Sequence, residues 1–414
     1  MSEHLERIGN VKVIESGTAT IDRVKGTLMS LLDYCRKHNW AGYDPYDALN
    51  SRAFNSTPFA KSRLCRIALT QVLKRAPINA RAMLLVPHLQ NPKAIALFLM
   101  AFLKLSRLGV LHGDHLVDTM IEKLVALRSP NSPFWCWGYS FPWQTRTVLV
   151  PQWAPSLVCT VFVANALLDV YEHNRESQCL DMATSAGEYI LNDLYWTDGE
   201  FVAGFSYPLP GLRAQVHNAN FLAAALLCRL CKHTGHKEYL GPALRVARWS
   251  AGEQHPDGSW DYGSLPTQRW VDNFHTGYNL CALRVIGQDA ETMEFHSHLV
   301  RGFEFYRMHF FLSDGAPKYF HNRAFPIDIH CVAQSIITLS ELRGLAKGSD
   351  DLCHSVSKWA MDHMWDEKGY FYYQVLPYLK NRISYMRWSQ AWMLLALATL
   401  LEHSNQLKDE TERE

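Results

Sequence analysis

Gln254-His-Pro-Asp-Gly-Ser-Trp-Asp-Tyr262 is followed, after eight intervening residues, by Val271-Asp-Asn-Phe-His-Thr-Gly-Tyr278. The first stretch sets turn residues around a Trp and a Tyr. The second opens an apolar run of helical period, with Asp272 placed to cap it. An aromatic turn leading into an apolar helix is therefore one unit, and the unit recurs. Trp40-Ala-Gly-Tyr-Asp44, Trp196-Thr-Asp-Gly-Glu-Phe201, Ser313-Asp-Gly-Ala-Pro-Lys-Tyr319 and Trp365-Asp-Glu-Lys-Gly-Tyr370 carry the same turn, and Trp135-Cys-Trp-Gly-Tyr139 is a looser form. The helices that follow start at Leu157, Gln215, Asp272, Asp328 and Arg387, at separations of 58, 57, 56 and 59 residues. Such spacing marks a repeat in which each unit buries its apolar face against its neighbours.

Helical periodicity extends through almost the whole chain. Six apolar helices rich in Ala, Leu and Asn start near 92, 154, 215, 271, 327 and 385. Six amphipathic, more charged helices start near 17, 113, 176, 237, 289 and 349. Helices apolar all round suit an inner ring and amphipathic ones an outer ring. The expected fold is all-α, a single-domain (α/α)6 toroid over residues 1–404, closed by the N-terminal helix beside the last inner one. Segment 40–91 is an enlarged first loop with an extra helix. Residues 405–414 form a charged tail expected to fray. Every aromatic turn leads from an outer helix into an inner one, so all six gather at one end of the toroid. That end becomes a cleft of Trp, Tyr and polar groups around helix N-termini, which favour anions.

Composition narrows the function. The 414 residues carry 41 Lys+Arg against 40 Asp+Glu, a net charge of +1 that gives the whole chain no electrostatic pull toward nucleic acid or a membrane surface. No segment approaches the ~20 apolar residues of a membrane span. The stretch from Met1 to Val11 is polar and charged, unlike a secretory signal. Ten cysteines, mostly within apolar helical patterns, then fit a reduced, cytoplasmic protein.

The loop end holds the candidate chemistry. Asp272 and Asp328 occupy equivalent positions of adjacent repeats, and Asp44 and Asp47 lie in the first loop. Paired carboxylates across a cleft are what glycosidic cleavage needs, one as acid and one as base or nucleophile. The same aspartates also suit helix N-caps. Arg146, Arg213, Arg269, Arg323 and Arg382 place an arginine in successive loops, and Arg387 adds one in the last inner helix. Their forks suit an acidic glycan, or pair with nearby aspartates to hold the loops. Trp143, Trp388 and Tyr372 are candidate platforms for sugar rings, whose CH faces are apolar. His217, His275 and His330 recur near the starts of three inner helices as candidate proton carriers or satisfied core groups. Tyr278 and Tyr385 are candidate acid/base or packing residues, and Asn218 and Asn273 candidate sugar contacts. No H-x-x-x-H or H-E-x-x-H spacing supports a metal, and no cofactor is expected.

Gln254 to Trp260 fits the Q-x3-G-x-W repeat of terpene cyclases, which are also α/α toroids, and supports the fold rather than their chemistry. Protein prenyltransferases and lanthionine cyclases share the toroid and hold zinc. Asp351-Leu-Cys353-His354 is faintly similar to their ligands, but it opens an outer helix away from the loop end. Gly42-Tyr-Asp-Pro-Tyr-Asp-Ala-Leu-Asn-Ser51, Asp257-Gly-Ser-Trp260, Val271 to Tyr278 and Tyr385-Met-Arg-Trp-Ser-Gln-Ala-Trp392 together resemble a poorly characterised bacterial and archaeal family. Its members resemble six-hairpin glycosidases and are associated with surface-polysaccharide biosynthesis. Uronyl C5-epimerases, with clustered Tyr and Arg on an α/α domain, are a weaker parallel.

Three functions fit these residues. One is a carbohydrate-active enzyme of glycan assembly, with Asp272 and Asp328 as its acid/base pair and arginines holding an acidic sugar. Another is a uronate epimerase or lyase using His275, His330, Tyr278 or Tyr385 as bases. The third is a non-catalytic glycan-binding or scaffold protein among polysaccharide-assembly partners.

Overall fold

The computed structural model describes residues 17–111 and 115–411. The polar stretch from Met1 to Val11, residues 113–114 of the expected fourth helix and residues 412–414 of the tail lie outside them. Thirteen helices of twelve residues or more occur among the described residues. They are α1 (Gly17–Lys37), α2 (Arg63–Arg75), α3 (Pro92–Arg107), α4 (His115–Ala126), α5 (Leu157–Asn174), α6 (Ser177–Tyr189), α7 (His217–Thr234), α8 (Leu240–Gly252), α9 (Asn273–Asp289), α10 (His296–His309), α11 (Ile329–Glu341), α12 (Ser349–His363) and α13 (Trp392–Thr411).

The six apolar helices α3, α5, α7, α9, α11 and α13 pack each against the next, and α13 returns to α3. This is a closed inner ring. The helices α4, α6, α8, α10 and α12 back it from outside, and α1 completes the outer ring against α13 and α12. The (α/α)6 toroid is thus the observed fold. The inner helices bury residues on all sides: in α5 Leu157, Val161, Ala164 and Leu168 are buried, as are Val158, Val163 and Val170. The outer helices bury one stripe, such as Leu299, Phe303 and Tyr306 of α10.

Local chemistry fixes where the inner helices begin. Asn91 caps α3 ahead of Pro92, Asp272 caps α9 and Asp328 caps α11. Each side-chain oxygen satisfies an amide that has no partner inside its helix. Arg175 and Gly235 end α5 and α7 in the left-handed region.

The two ends of the ring differ. At the inner-helix C-termini, ion pairs join neighbours around the circle. Arg229 of α7 meets Asp169 and Glu172 of α5, Lys232 of α7 meets Asp289 of α9, Arg284 of α9 meets Glu341 of α11, and Lys104 of α3 meets Glu402 of α13. At the N-termini the aromatic turns converge instead.

Two local features depart from the sequence reading. The last inner helix does not start as an α-helix: Met386–Ala391 is a π-turn, in which the Gln390 amide reaches back to the Tyr385 carbonyl. The side chain of Gln390 clamps Phe371 by donating to its carbonyl and accepting from its amide, 2.9 Å each way. The segment expected to fray from 405 is helical as far as Thr411, continuing a helix whose Glu402 is held by Lys104 and Arg107. Short antiparallel ladders occur in the loops; one of three strands, Ile327–Asp328, Gln374–Val375 and Lys380–Asn381, ties the fifth loop to the sixth. The spacing Cys228-Arg-Leu-Cys231 falls inside α7, and both thiols are free.

Candidate active site

The caps of α9 and α11 organise the centre. Asp272 accepts from the His275 amide at 3.0 Å through Oδ1. Its Oδ2 meets His275 Nδ1 at 2.7 Å and Trp270 Nε1 at 2.9 Å. An N-cap and the residue three later face one another in the first turn, so capping and ring orientation come from one geometry. The carboxylate takes the Nδ1 proton's hydrogen bond, which leaves the lone pair on Nε2. Asp272 is buried, whereas the His275 side chain is 21 % exposed. Tyr262 and Phe274 flank the imidazole, with centroids at 4.6 and 4.1 Å.

Asp328 is fully enclosed. Its Oδ1 accepts from the His330 amide at 2.9 Å and Trp388 Nε1 at 2.8 Å, and its Oδ2 from Gln374 Nε2 at 2.6 Å. Burial pushes its pKa up against those hydrogen bonds. His330 Nε2 lies 2.5 Å from the Tyr278 hydroxyl. Its Nδ1 is buried and has no hydrogen-bond partner among the described residues. Burial holds His330 well below the ordinary histidine range, and Lys93 and Arg387 push the same way, so the ring is neutral at pH 7. Burial raises the Tyr278 phenol well above its usual range. The His275 and His330 rings flank Phe274, at 4.1 and 4.7 Å.

The sequence reading missed Lys93. Its ammonium lies 4.0 Å from the Phe162 centroid, 5.2 Å from Trp392 and 5.5 Å from Tyr278. Burial holds its amine well below the lysine range. The available signal was a lysine in the first turn of an inner helix whose next ten residues are all apolar.

The other candidates separate by place. Asp44 receives both arms of Arg387, at 2.6 and 2.8 Å, and Asp47 receives Arg81 Nε at 2.6 Å. Both pairs are buried, so neither carboxylate is free for a substrate. Burial raises Asp47 to about 6 against the pull of Arg81. Tyr385 is buried with its ring under the Arg81 guanidinium, 4.8 Å away. Asn273 points to the back of the cap, where it meets Tyr306 and Ser335. Tyr372 packs on the outer hairpin beside Tyr370 and Arg382.

The expected ring of arginines does not line the centre. Arg146, Arg213, Arg269, Arg323 and Arg382 are exposed on the rim, and Arg387 alone of the six is buried. Long guanidinium side chains keep their heads in water while lying on rim aromatics. Arg213 lies 5.7 Å from Trp196, Arg323 4.0 Å from Phe320 and Arg382 5.3 Å from Tyr372.

Asp272 and His275 meet Tyr262, Trp270 and Asn218 in a closely packed polar cleft with no room for a water molecule. Asp261 joins it to a cavity of about 540 Å³ lined by His217, Glu253, His255, Gly263, Ser264 and Arg269. That volume falls in the ~300–1,000 Å³ range of small-molecule sites. His217 stacks on Trp249 at 5.8 Å, and its Nδ1 and the Oδ1 of Asn218 have no partner among the described residues. Trp143 is half-buried, 6.5 Å from Tyr207. Trp388 holds Asp328 and sets its ring 5.4 Å from Tyr46. Among the described residues, no group of three His, Cys, Asp or Glu could hold a metal ion.

No family model matches this chain, and no curated protein matches it. Solved structures do. A family GH76 α-mannanase from Bacteroides thetaiotaomicron aligns with a TM-score of 0.59 at 12 % identity, covering 77 % of this chain and 86 % of that one. A cellobiose 2-epimerase from Spirochaeta thermophila aligns with a TM-score of 0.54 at 13 % identity, covering 77 % and 87 %. A possible family GH105 member from Salmonella enterica gives 0.53 at 11 %, covering 78 % and 86 %. The chain therefore has the six-hairpin toroid fold, a fold shared by glycoside hydrolases and sugar epimerases.

Proposed function

We propose that this protein is a sugar-processing enzyme whose chemistry is proton transfer at the carbon beside a sugar carbonyl. The observation that carries this reading is the Asp272–His275 dyad: a buried carboxylate orients an imidazole whose side chain is 21 % exposed and lines a polar cleft. His275 would take the proton from carbon 2 of an open-chain aldose. The electron pair moves to the carbonyl oxygen and gives an enediolate. Water would return a proton to the opposite face, and the hydroxide it leaves would take the proton held by His275; the Tyr278–His330 pair behind Phe274 is buried and neutral and is not the donor. Tyr262 and Trp270, stacked at 4.6 Å and 11°, offer a face for the sugar. Hydrolysis fits less well, because Asp272 and Asp328 already spend their oxygens on caps, His275, Trp270, Trp388 and Gln374. The sugar epimerases among the structural relatives support proton transfer on this fold. The rim arginines would meet acidic groups of a longer glycan, such as a surface polysaccharide in assembly, outside the reacting unit.

Incubation with reducing disaccharides in D2O tests the reading. Deuterium is expected at carbon 2, with inversion and no loss of chain length. His275→Gln is expected to lower exchange by ~10²-fold or more, and Asp272→Asn to lower it as well. New reducing ends without deuterium would instead identify a hydrolase.

A further inference from the structure

The near-zero net charge of the chain conceals a segregation. From Ala48 to Gly113 there are ten Lys and Arg residues and no Asp or Glu. The chain as a whole is +1, so the remaining residues carry a net charge of −9. The basic stretch contains the enlarged first loop, and this loop also carries an unusual apolar surface. Phe59, Leu64, Val72, Ile78, Met83 and Leu85 are each 58–85 % exposed. In α2, Leu64, Ala68 and Val72 follow at four-residue steps and form one outward stripe, opposite the buried Thr70 and Leu73. Contiguous apolar surface of this kind, rimmed by polar groups, marks a protein or membrane interaction site. Arg52, Lys61, Arg63 and Arg75 surround them, are exposed, and form no ion pair with a described carboxylate.

We infer that residues 52–85 form a peripheral docking face for an anionic lipid bilayer. The apolar side chains would enter the headgroup boundary while the four cations meet lipid phosphates. A second copy of this chain would bring the same cations against one another, which disfavours self-association through this face. The apolar residues come from a turn, a helix and a loop and project outward rather than lining a groove, which suits a soft, flat partner. No described helix is long and apolar enough to cross a membrane, so the contact is interfacial. The face is coupled to the candidate site. Lys74 donates to the Tyr46 hydroxyl at 2.6 Å, Arg66 to Gln144 at 2.8 Å and buried Arg81 to Asp47. Tyr46 in turn packs on Trp388, which holds Asp328, so the face and the centre share contacts. This inference does not depend on the proposed reaction.

Co-sedimentation of the full chain with vesicles tests it. Binding is expected to equal parts phosphatidylglycerol and phosphatidylcholine and not to phosphatidylcholine alone, and it should weaken as salt rises. Leu64→Glu/Val72→Glu changes only exposed positions and should keep the parent's circular dichroism. It is expected to lower vesicle partitioning about tenfold or more. The inference fails if the parent does not bind anionic vesicles at low salt, or if the double variant binds as well as the parent. Binding to an acidic polypeptide such as polyglutamate, without binding to vesicles, would overturn it in favour of an acidic protein partner.

Discussion

Replacing Arg387 by Met tests whether Asp44 is a structural anchor or a free carboxylate. Arg387 donates Nε and Nη2 to the two Asp44 oxygens, and both side chains are buried. Once the guanidinium is gone, Asp44 Oδ1 keeps the Tyr46 amide at 3.0 Å and Oδ2 loses its partner. An uncompensated buried carboxylate costs about 3–5 kcal/mol. Asp44→Asn in the same chain removes the charge and leaves a partly satisfied amide, at about 1–3 kcal/mol. Arg387→Met/Asp44→Asn should thus be about 2 kcal/mol more stable than Arg387→Met alone, a coupling within the ordinary range for contacting residues. Urea titration followed by fluorescence and circular dichroism measures this where the two transitions coincide. A cost below about 1 kcal/mol for Arg387→Met, or single-variant costs that add up to the double, would refute the buried-anchor reasoning.

Two further outcomes follow from burial and close packing. Burial holds His217 at about 4 in the folded protein, while the unfolded chain takes up its proton near 6.5. The unfolded state binds more protons between those values, so stability is full above about pH 6.5 and falls as pH drops toward 4, by about 3 kcal/mol at most; His217→Gln should flatten that part of the stability–pH curve, and an unchanged slope would contradict it. A Cβ at Gly277 would lie 2.7 Å from Gln334 Cγ and Thr338 Oγ1, and those two side chains are hydrogen-bonded at 3.0 Å. Gly277→Ala should therefore cost about 1–3 kcal/mol, whereas Gly241→Ala in α8, with nothing within 4 Å, should be neutral or stabilising; thermal melts that rank the two the other way would reject the helix-crowding argument.

The ring was legible because its signal is periodic. Each aromatic turn and each capping Asp stands at a fixed distance from the next, and local rules suffice to read both. Asp272 and Asp328 were visible as caps and as candidate carboxylates, but the orientation of His275 by Asp272 depends on side-chain rotamers. Asp44 and Asp47 looked available because Arg387 and Arg81 lie 343 and 34 residues away, and no spacing rule links such pairs. The rim arginines were legible as a pattern but not as a location, since a loop residue can face the axis or the solvent with the same sequence. The π-turn at Met386–Ala391 has no compositional mark, yet it alters which residues of the last inner helix face the axis.

Five contacts of the inner ring join elements that follow one another along the chain, and the sixth does not. The α13–α3 junction meets only when nearly the whole polypeptide is in place. Thr27 reaches Met361, Tyr34 reaches Ser384 and Asn381 reaches Ala76 across the same seam. Hairpins can accumulate locally at low contact order, but closing this seam carries the loop entropy of some three hundred residues. The seam therefore acts as a clasp. Asp44, Arg387, Tyr46 and Trp388 lie on either side of it, so the buried Asp44–Arg387 anchor, and the packing of Tyr46 on the Trp388 that holds Asp328, are assembled only in chains whose first and last hairpins have met. An incompletely synthesised or C-terminally clipped chain would hold most of its helices, and the Asp272–His275 pair, and still lack the Trp388 contact that holds Asp328.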